Sequence, residues 1–142
     1  MTIDLTPGET VRSPSKTLTD AHFLFFAGLT GDNHPIHYDV EYARTKLFGR
    51  PLAHGLLMAS MTAAGASAFS SRMDGFIFIE QGCRFRKPAF VGDTITPCLT
   101  VERIWPESGL TYVRFATAII NQNNETVLEG FQLYAVKDKG NG

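Results

Sequence analysis

The second half of the chain constrains the fold most, because it consists of four β-rich runs separated by turn signals. The runs cover residues 76–87, 94–104, 111–121 and 126–137. Prolines, glycines and asparagines mark the turns between them, at residues 88–93, 106–109 and 121–124. Because short links join antiparallel neighbours, we expect the four strands to form one sheet. Residues 10–17 predict a further edge strand, in which Pro14 lacks a backbone donor.

A stretch before these strands, from Ala53 to about Phe69, is apolar or small on almost every side. A helix without a polar face is a buried helix, so this stretch predicts one long central helix. Two shorter helices are predicted upstream: one that starts at Thr19-Asp20 and stops before Gly31, and one from Asp39 to Leu47. The fold class is therefore α+β, with an antiparallel sheet wrapped around the helix. A second copy commonly covers such a sheet, which predicts a homodimer or a dimer-based higher oligomer.

Length and charge narrow the class of protein further. A chain of 142 residues predicts one domain spanning residues 1–142. With 13 Lys and Arg against 14 Asp and Glu, it has no overall field for nucleic acid or a membrane surface. Cys83 and Cys98 form no CxxC pair, no N-terminal signal is recognisable, and no apolar run reaches about 18 residues. These features predict a soluble cytoplasmic protein.

Asp32 and His37 are the first candidates for chemistry. They lie five positions apart on a predicted loop between helices, where Gly31 permits a tight turn and Pro35 keeps His34 extended. A carboxylate and an imidazole suit proton transfer near neutral pH. The alternative is an ordinary Asx turn beside an exposed histidine.

Two further features contribute candidates. His54-Gly55 opens the predicted buried helix, whose first backbone N–H groups are free to bind an anion or oxyanion, although Gly55 is equally explained by close packing. Arg84, Arg86 and Lys87 cluster at a strand end that either meets phosphates or is simply solvated. Asp32, His34 and His37 have metal-ligating side chains, but Pro35 prevents a shared helix face, so we predict no metal site. The chain contains no GxSxG, P-loop or GxGxxG motif.

Taken in order, the sequence resembles MaoC-like (R)-specific enoyl-CoA hydratases. The resemblance rests on residues 30–37 (Thr-Gly-Asp-Asn-His-Pro-Ile-His), on Ala43, and on residues 51–55 (Pro-Leu-Ala-His-Gly). It continues through the Arg-Phe-Arg-Lys-Pro strand end at 84–88 and the Val-Gly-Asp-Thr turn at 91–94, and so covers most of the chain. It implies a hot-dog fold, reversible hydration of a trans-2-enoyl thioester to an (R)-3-hydroxyacyl thioester, and no cofactor.

The resemblance also implies residue roles. Asp32 and His37 would hold one water and move its protons, and the N–H of Gly55 would stabilise the enolate. His34, Ala53, Leu56 and Ser60 would contact the substrate, with the acyl tail in an apolar tunnel near residues 23–26. Arg84, Arg86 and Lys87 would meet the phosphates of CoA or of an acyl-carrier protein.

One position departs from the family pattern, which has Asn two residues after the Asp; here His34 occupies that position and Asn is at position 33. His34 donates a hydrogen bond similarly as a neutral tautomer, or marks a specialised substrate such as a branched or dicarboxylic enoyl-CoA. Two other functions stay open on the sequence alone. They are a hot-dog acyl-CoA thioesterase and a non-catalytic subunit that binds acyl-CoA.

Overall fold

The computed structural model describes residues 3–137, which form six strands, three α-helices and three 3-10 turns. The strands are β1 (Thr10–Arg12), β2 (Lys16–Thr17), β3 (Ile77–Phe85), β4 (Thr94–Glu107), β5 (Leu110–Ile120) and β6 (Thr126–Lys137). The helices are α1 (Asp20–Thr30), α2 (Val40–Arg44) and α3 (Gly55–Ser60), and the 3-10 turns are Pro35–His37, Ala64–Ala66 and Ser70–Arg72. None of the helices within residues 3–137 has the length and apolar character to cross a membrane.

The strands form one antiparallel sheet in the order β1-β4-β5-β6-β3, with β2 also paired to β4. The four predicted strands and their single antiparallel sheet are confirmed, but the expected pairing of successive strands is wrong for β3 and β4. β3 pairs with β6 rather than with the strand that follows it, so β3 lies at one edge of the sheet. The predicted edge strand at residues 10–17 occurs as two short pieces on either side of Pro14.

The β4–β5 hairpin is tighter than predicted. β4 continues through Pro106 to Glu107, and the link to β5 is Ser108-Gly109 alone, with φ of 52° and 77°. Two consecutive residues with positive φ make the turn whose twist matches that of the strands. Pro106 lies within β4 rather than after it, since it pairs with Thr111 beside the hairpin turn.

Capping chemistry places the starts of both upstream helices and the end of α1. Thr19 precedes α1, and its N–H donates to Nδ1 of His22 over 2.9 Å. Gly31 ends α1 with a left-handed φ of 79°, which glycine adopts without strain. The Asp39 carboxylate accepts the Tyr42 N–H at the start of α2. α2 ends at Arg44, three residues before the predicted end at Leu47.

The central helix is present, but the predicted length was wrong. α3 spans only Gly55–Ser60, and the rest of the expected helix contains a single 3-10 turn, Ala64–Ala66. The hydroxyl of Thr62 donates to Ala59 O, and the buried Gln132 side chain of β6 donates to both the carbonyl and the hydroxyl of Thr62. Side-chain bonds of this kind compete with the helical ladder and divert the backbone from it.

One face of α3 packs against the sheet and completes the core. Leu57 and Met58 of α3 are buried in a cluster with residues of α1, β4, β5 and β6. The cluster includes Leu18, Phe23, Ile95, Ile119, Val127 and Leu128. The opposite side of α3 is not buried, since Leu56 is 68% exposed. The expectation that this helix is covered on all sides is therefore wrong for the single chain.

Candidate active site

The loop between α1 and α2 holds Asp32 and His37 in a fixed conformation. The left-handed Gly31 turns the chain out of α1, and the Asp32 N–H donates to the Thr30 hydroxyl. His34 is extended (φ −61°, ψ 130°), as its position before Pro35 predicts. Pro35 then opens the single 3-10 turn that ends at His37.

Asp32 and His37 face each other across a gap. The Asp32 Oδ2 atom lies 3.9 Å from Nε2 of His37, and the Asp32 side chain is half exposed, whereas that of His37 is largely buried. The other ring nitrogen, Nδ1 of His37, donates to the Leu52 carbonyl oxygen over 2.8 Å. Because a carbonyl oxygen only accepts, this bond fixes which nitrogen faces Asp32. The predicted acid and imidazole are thus brought within 3.9 Å of each other, so that both can contact one small molecule beside the gap.

His34 has a local structural function in addition to its predicted role. Its Nδ1 accepts the Ile36 N–H over 3.2 Å, which caps the 3-10 turn. Its ring lies edge-on to both His37 and Tyr42. In the neutral form the remaining ring donor is therefore Nε2–H, which is the atom available to a substrate.

His54, directly before α3, joins the loop to the central helix. It is almost fully buried, and its Nε2 lies 3.1 Å from the backbone carbonyl oxygen of Asp32. Its ring stacks on that of His37, with centroids 3.6 Å apart and planes 18° from parallel. Burial lowers the pKa of His54, and this effect together with that of His37 outweighs the opposite effects of the Asp32 carbonyl and carboxylate.

The cluster of Asp32, His37 and His54 has the residue types of a metal site, and their ligand atoms lie within 4.8 Å of one another. The stacked imidazoles, however, hold their ring planes nearly parallel. Ring nitrogens bind metals in the ring plane, so parallel rings do not direct two lone pairs at one ion. One nitrogen of each ring also points to a backbone carbonyl. The geometry favours proton transfer over metal binding.

Gly55 is the first residue of α3 and follows His54, so it lies at the edge of the cluster. The N–H of a first helical residue has no acceptor within the helix. A Cβ at this position would lie 3.3 Å from the Phe85 ring, so glycine allows this ring to pack closely against the start of α3. Because α3 has only six residues, we attribute the predicted oxyanion role to this donor rather than to a strong helix dipole.

A cleft of about 430 Å³ opens beside Gly55. Leu52, Ala53, Met58, Phe48, Phe85, Arg86, Lys87, Pro88 and Ala89 complete its lining. Arg86 pairs with Glu129, and Lys87 pairs with Glu125, whose pKa is lowered by hydrogen bonds from Asn121 and Lys87. Both cations are exposed on the rim of the cleft despite these partners.

Arg84 belongs to a different surface from the other two predicted cations. It lines a separate groove with Arg114, Thr117 and Glu129 on the sheet. The structure therefore brings Arg86 and Lys87, but not Arg84, to the cleft beside Gly55.

The two predicted contact residues on α3 face apolar grooves on either side of the helix. A groove of about 480 Å³ lies between α1 and α3 and is lined by Ala21, His22, Phe25, Phe26, Leu29, Leu57, Ser60 and Met61. The other pocket, of about 460 Å³, includes Leu56, Ser60, Ala63 and Phe78 among its lining residues. Phe23, which the sequence suggested for an acyl tunnel, is a core residue and lines neither groove.

Sequence reasoning missed two parts of the cluster. The sequence pattern gives the His54 side chain no role, because the free backbone N–H groups at Gly55 are enough to explain the His54-Gly55 pair. A histidine inside an otherwise apolar stretch is the signal that could have found it. The Leu52 carbonyl carries no side-chain signal, because any residue at that position supplies the same oxygen.

An antiparallel sheet packed on a short central helix, with a carboxylate and an imidazole facing each other beside it, has the form expected of an acid–base enzyme on a hot-dog scaffold. Comparison with known proteins narrows the class to a single family. The family model for the MaoC like domain matches residues 3–120. The chain belongs to the MaoC-like family and is an enzyme of the hydratase and dehydratase class.

Individual relatives agree over nearly the whole chain. It is 30% identical to the (R)-specific enoyl-CoA hydratase of Rhodospirillum rubrum, in an alignment that covers 96% of this chain and 92% of that protein. It is 29% identical to the 3-hydroxybutyryl-CoA dehydratase of Methylorubrum extorquens, covering 87% and 76%. The solved structure of the (R)-hydratase of Aeromonas caviae superposes with a TM-score of 0.82 at 28% identity, covering 94% and 98%. The expected hot-dog fold is confirmed.

Proposed function

We propose that this enzyme reversibly hydrates a trans-2-enoyl-CoA to the (R)-3-hydroxyacyl-CoA, with Asp32 and His37 as the acid–base pair. The observation that carries the proposal is the 3.9 Å gap between Asp32 Oδ2 and Nε2 of His37, with the other His37 nitrogen bound to Leu52 O. One water beside this gap can hydrogen-bond to both atoms, at about 2.8 Å from each. The (R)-specific hydratase and the dehydratase among the relatives support the same reaction in its two directions.

The proton balance follows from this arrangement. Asp32 starts as a carboxylate, and His37 starts protonated, with Nδ1–H on Leu52 O and Nε2–H toward the water. As the water oxygen bonds to C3, one water proton passes to Asp32, and the Nε2 proton of His37 passes to C2 on the same face. Transfer of the Asp32 proton to His37 across the gap restores both groups. Acid–base groups placed in this way contribute about 10²–10⁴ in rate.

Gly55 supplies the second contribution. Addition at C3 places negative charge on the thioester oxygen, and the N–H of Gly55 donates to that oxygen. An oxyanion donor of this kind contributes about 10²–10³ in rate. The lack of a side chain at Gly55 lets the thioester approach the backbone closely.

The cleft beside Gly55 suits the CoA portion of the substrate. The thioester lies at Gly55 and contacts Ala53, with the phosphates toward Arg86 and Lys87. The acyl tail occupies the apolar groove between α1 and α3, where Ser60 lies. Leu56 borders the pocket on the other side of α3. The Nε2–H of His34 contacts the substrate from the side of the Asp32 loop. No cofactor takes part in this chemistry.

The enzyme functions as a homodimer in this proposal. β3 is an edge strand, and Ile77, Phe78 and Ile79 are each at least half exposed on it. An edge strand with exposed apolar side chains is a template for pairing with a second copy. Cys83 and Cys98 are free thiols, which supports the predicted cytoplasmic setting.

The test is a hydration assay on crotonyl-CoA and longer enoyl-CoA substrates, followed as loss of the conjugated thioester absorbance. We expect Asp32→Asn to reduce kcat by about 10²–10⁴ while circular dichroism and the unfolding midpoint stay unchanged. Unchanged turnover in this variant would exclude Asp32 from the chemistry.

The same samples separate the two other functions that the sequence left open. A thiol-trapping reagent detects free CoA, so release of thiol without hydration would indicate a thioesterase. Tight binding of acyl-CoA without hydration at any chain length would indicate a binding subunit. Branched and dicarboxylic substrates belong in the screen because of His34.

A further inference from the structure

His54 is the one residue of the cluster to which the proposed chemistry gives no task. It precedes α3, and its side chain is only 1% exposed. Burying an imidazole is unfavourable unless its polar atoms find partners. Its contacts therefore need an explanation beyond packing.

The first contact is a long-range hydrogen bond. Nε2 of His54 lies 3.1 Å from the backbone carbonyl oxygen of Asp32, which is 22 residues earlier in the chain. Because the carbonyl only accepts, Nε2 carries the hydrogen and donates. This bond ties the loop that carries Asp32 to the residue directly before Gly55. A neutral ring then leaves Nδ1 without a hydrogen, and Nδ1 is buried without a partner among residues 3–137.

The second contact fixes the plane of His37. The rings of His54 and His37 are parallel within 18° and 3.6 Å apart, so one face of His37 lies against His54. Phe23 and Phe26 of α1 support the His54 ring from other directions. The bond to Leu52 O sets the rotation of the His37 ring within that plane. Stacking and hydrogen bond together direct Nε2 of His37 at the Asp32 carboxylate.

The charge state of His54 suits this role. The groups that face it are the imidazole of His37, the Asp32 loop, and the uncharged rings of Phe23 and Phe26. Burial is the largest influence and lowers the pKa of His54; the bond to the Asp32 carbonyl and the Asp32 carboxylate act against it, His37 acts with it, and the pKa is lowered overall. His54 therefore stays neutral while His37 carries the proton of the reaction.

We infer that His54 is a positioning residue, whose neutral imidazole fixes the His37 ring by stacking and the Asp32 loop through Nε2–H. This inference rests on the proposed function for its effect on rate, but its geometry is testable without turnover. Displacing a reacting group by about 1 Å can cost about 10²-fold in rate. The loss of either contact should therefore reduce kcat more than it changes KM.

Two variants separate the contacts. His54→Phe keeps an aromatic ring against His37 and removes the donor, whereas His54→Gln keeps an amide donor and removes the ring. We expect kcat for enoyl-CoA hydration to fall about 10- to 100-fold in each, with KM within about threefold of wild type. Ser13→Ala is the matched control, because Ser13 is equally buried, its Oγ is also without a partner among residues 3–137, and it contributes nothing to the proposed site. It should retain wild-type kcat.

NMR spectra of the imidazole nitrogens in the wild-type enzyme report the tautomer of each ring, which a purely structural role of His54 would not fix. At pH 7 we expect His54 as the neutral Nε2–H tautomer, and His37 with its Nδ1 protonated. In His54→Gln, signals of His37 should show averaging between ring states, because the ring is no longer held. This measurement does not depend on how well the variants fold, since the wild-type spectrum alone tests the His54 tautomer.

The outcomes are distinct. A charged His54 or an Nδ1–H tautomer at pH 7 would overturn the inference, as would variants with kcat within about twofold of wild type. Wild-type protein that shows the expected tautomers but hydrates no enoyl-CoA would instead contradict the proposed function and leave the positioning contacts standing.

Discussion

At the scale of single residues, this site depends on the partners of its side chains more than on their identities. Asp32 and His37 are ordinary residues until Gly31, Pro35 and the Leu52 carbonyl fix them 3.9 Å apart. In the proposed function Gly55 acts through its backbone alone. The same principle applies to cations: Arg84 and Arg86 are two positions apart in sequence, yet only Arg86 reaches the cleft beside Gly55.

We predict that the double variant Arg86→Gln, Lys87→Gln raises KM for enoyl-CoA about tenfold, because exposed cations on the rim lose their attraction for the CoA phosphates. The measurement compares KM for an enoyl-CoA with KM for the same acyl group on pantetheine, which lacks the nucleotide phosphates. KM for the pantetheine thioester should not change.

Arg103→Gln serves as the control for this comparison, since Arg103 lies on β4 toward the opposite end of the sheet and contacts Trp105. An equal rise in KM for both thioesters would contradict a phosphate-binding role for the rim.

At the scale of elements, the contact between β3 and β6 tolerates no side chain at its centre. A Cβ at Gly130 would overlap the Gly82 carbonyl oxygen of the neighbouring strand. Backbone atoms cannot yield as a flexible side chain does, so the two strands would have to separate locally. The glycine pair thus sets how closely β3 joins the sheet.

Gly130→Ala should lower the free energy of unfolding by about 3 kcal/mol, measured by urea denaturation. Gly28→Ala is the matched control, because Gly28 is in α1 and a Cβ there meets nothing within 4 Å. That change should raise the free energy of unfolding by about 0.5–1 kcal/mol. A Gly130→Ala variant as stable as wild type would show that the strands adjust freely.

At the junction between the Asp32 loop and α3, the buried His54 should make the free energy of unfolding depend on pH. His54 is neutral and buried in the folded chain, so its pKa lies below the unfolded value of about 6.5. The unfolded state then binds the proton more readily, and the stabilisation from neutral His54 is complete above pH 6.5 and lost as pH falls through the lowered pKa.

Urea unfolding at pH 7.5 and at pH 5.5 checks this prediction. We expect wild type to lose more free energy of unfolding over that range than His54→Gln, whose side chain does not titrate. Equal losses in the two proteins would assign the pH dependence to other groups.

At the scale of the whole molecule, the single chain leaves an apolar edge exposed. Ile77, Phe78 and Ile79 follow one another on β3, and Leu56 on α3 is also exposed. Water contact with so much apolar surface is unfavourable, and a second copy paired along β3 would remove it.

The double variant Ile77→Lys, Ile79→Lys should therefore be monomeric at concentrations at which wild type is dimeric, as measured by light scattering after size-exclusion chromatography. Lysine on an edge strand opposes pairing through charge repulsion and loss of apolar burial. Val91→Lys alters another exposed apolar residue, away from β3, and should stay dimeric. A dimeric double variant would place the interface elsewhere.

The sequence by itself determined the strands, their single antiparallel sheet, the starts of the two upstream helices, and the candidate pair of Asp32 and His37. Period-two alternation, capping residues and the Gly31 and Pro35 positions are local signals, so they act without knowledge of the rest of the chain. The position of Gly55 at the start of the predicted buried helix made it a candidate oxyanion donor, and the MaoC-like resemblance implied that it stabilises the enolate. Each of these features depends on residues close together in sequence.

Tertiary structure alone decided the length of the central helix, the edge position of β3, the separation of Arg84 from the cleft, and the stacking of His54 on His37. Gln132 ends the helical region from 70 residues away, and Asp32 binds His54 across 22 residues. Hydrogen bonds and ring contacts between distant segments form only once the sheet has closed over the helix. No periodic pattern or spacing in the sequence encodes them, because the partners become neighbours only in the folded chain.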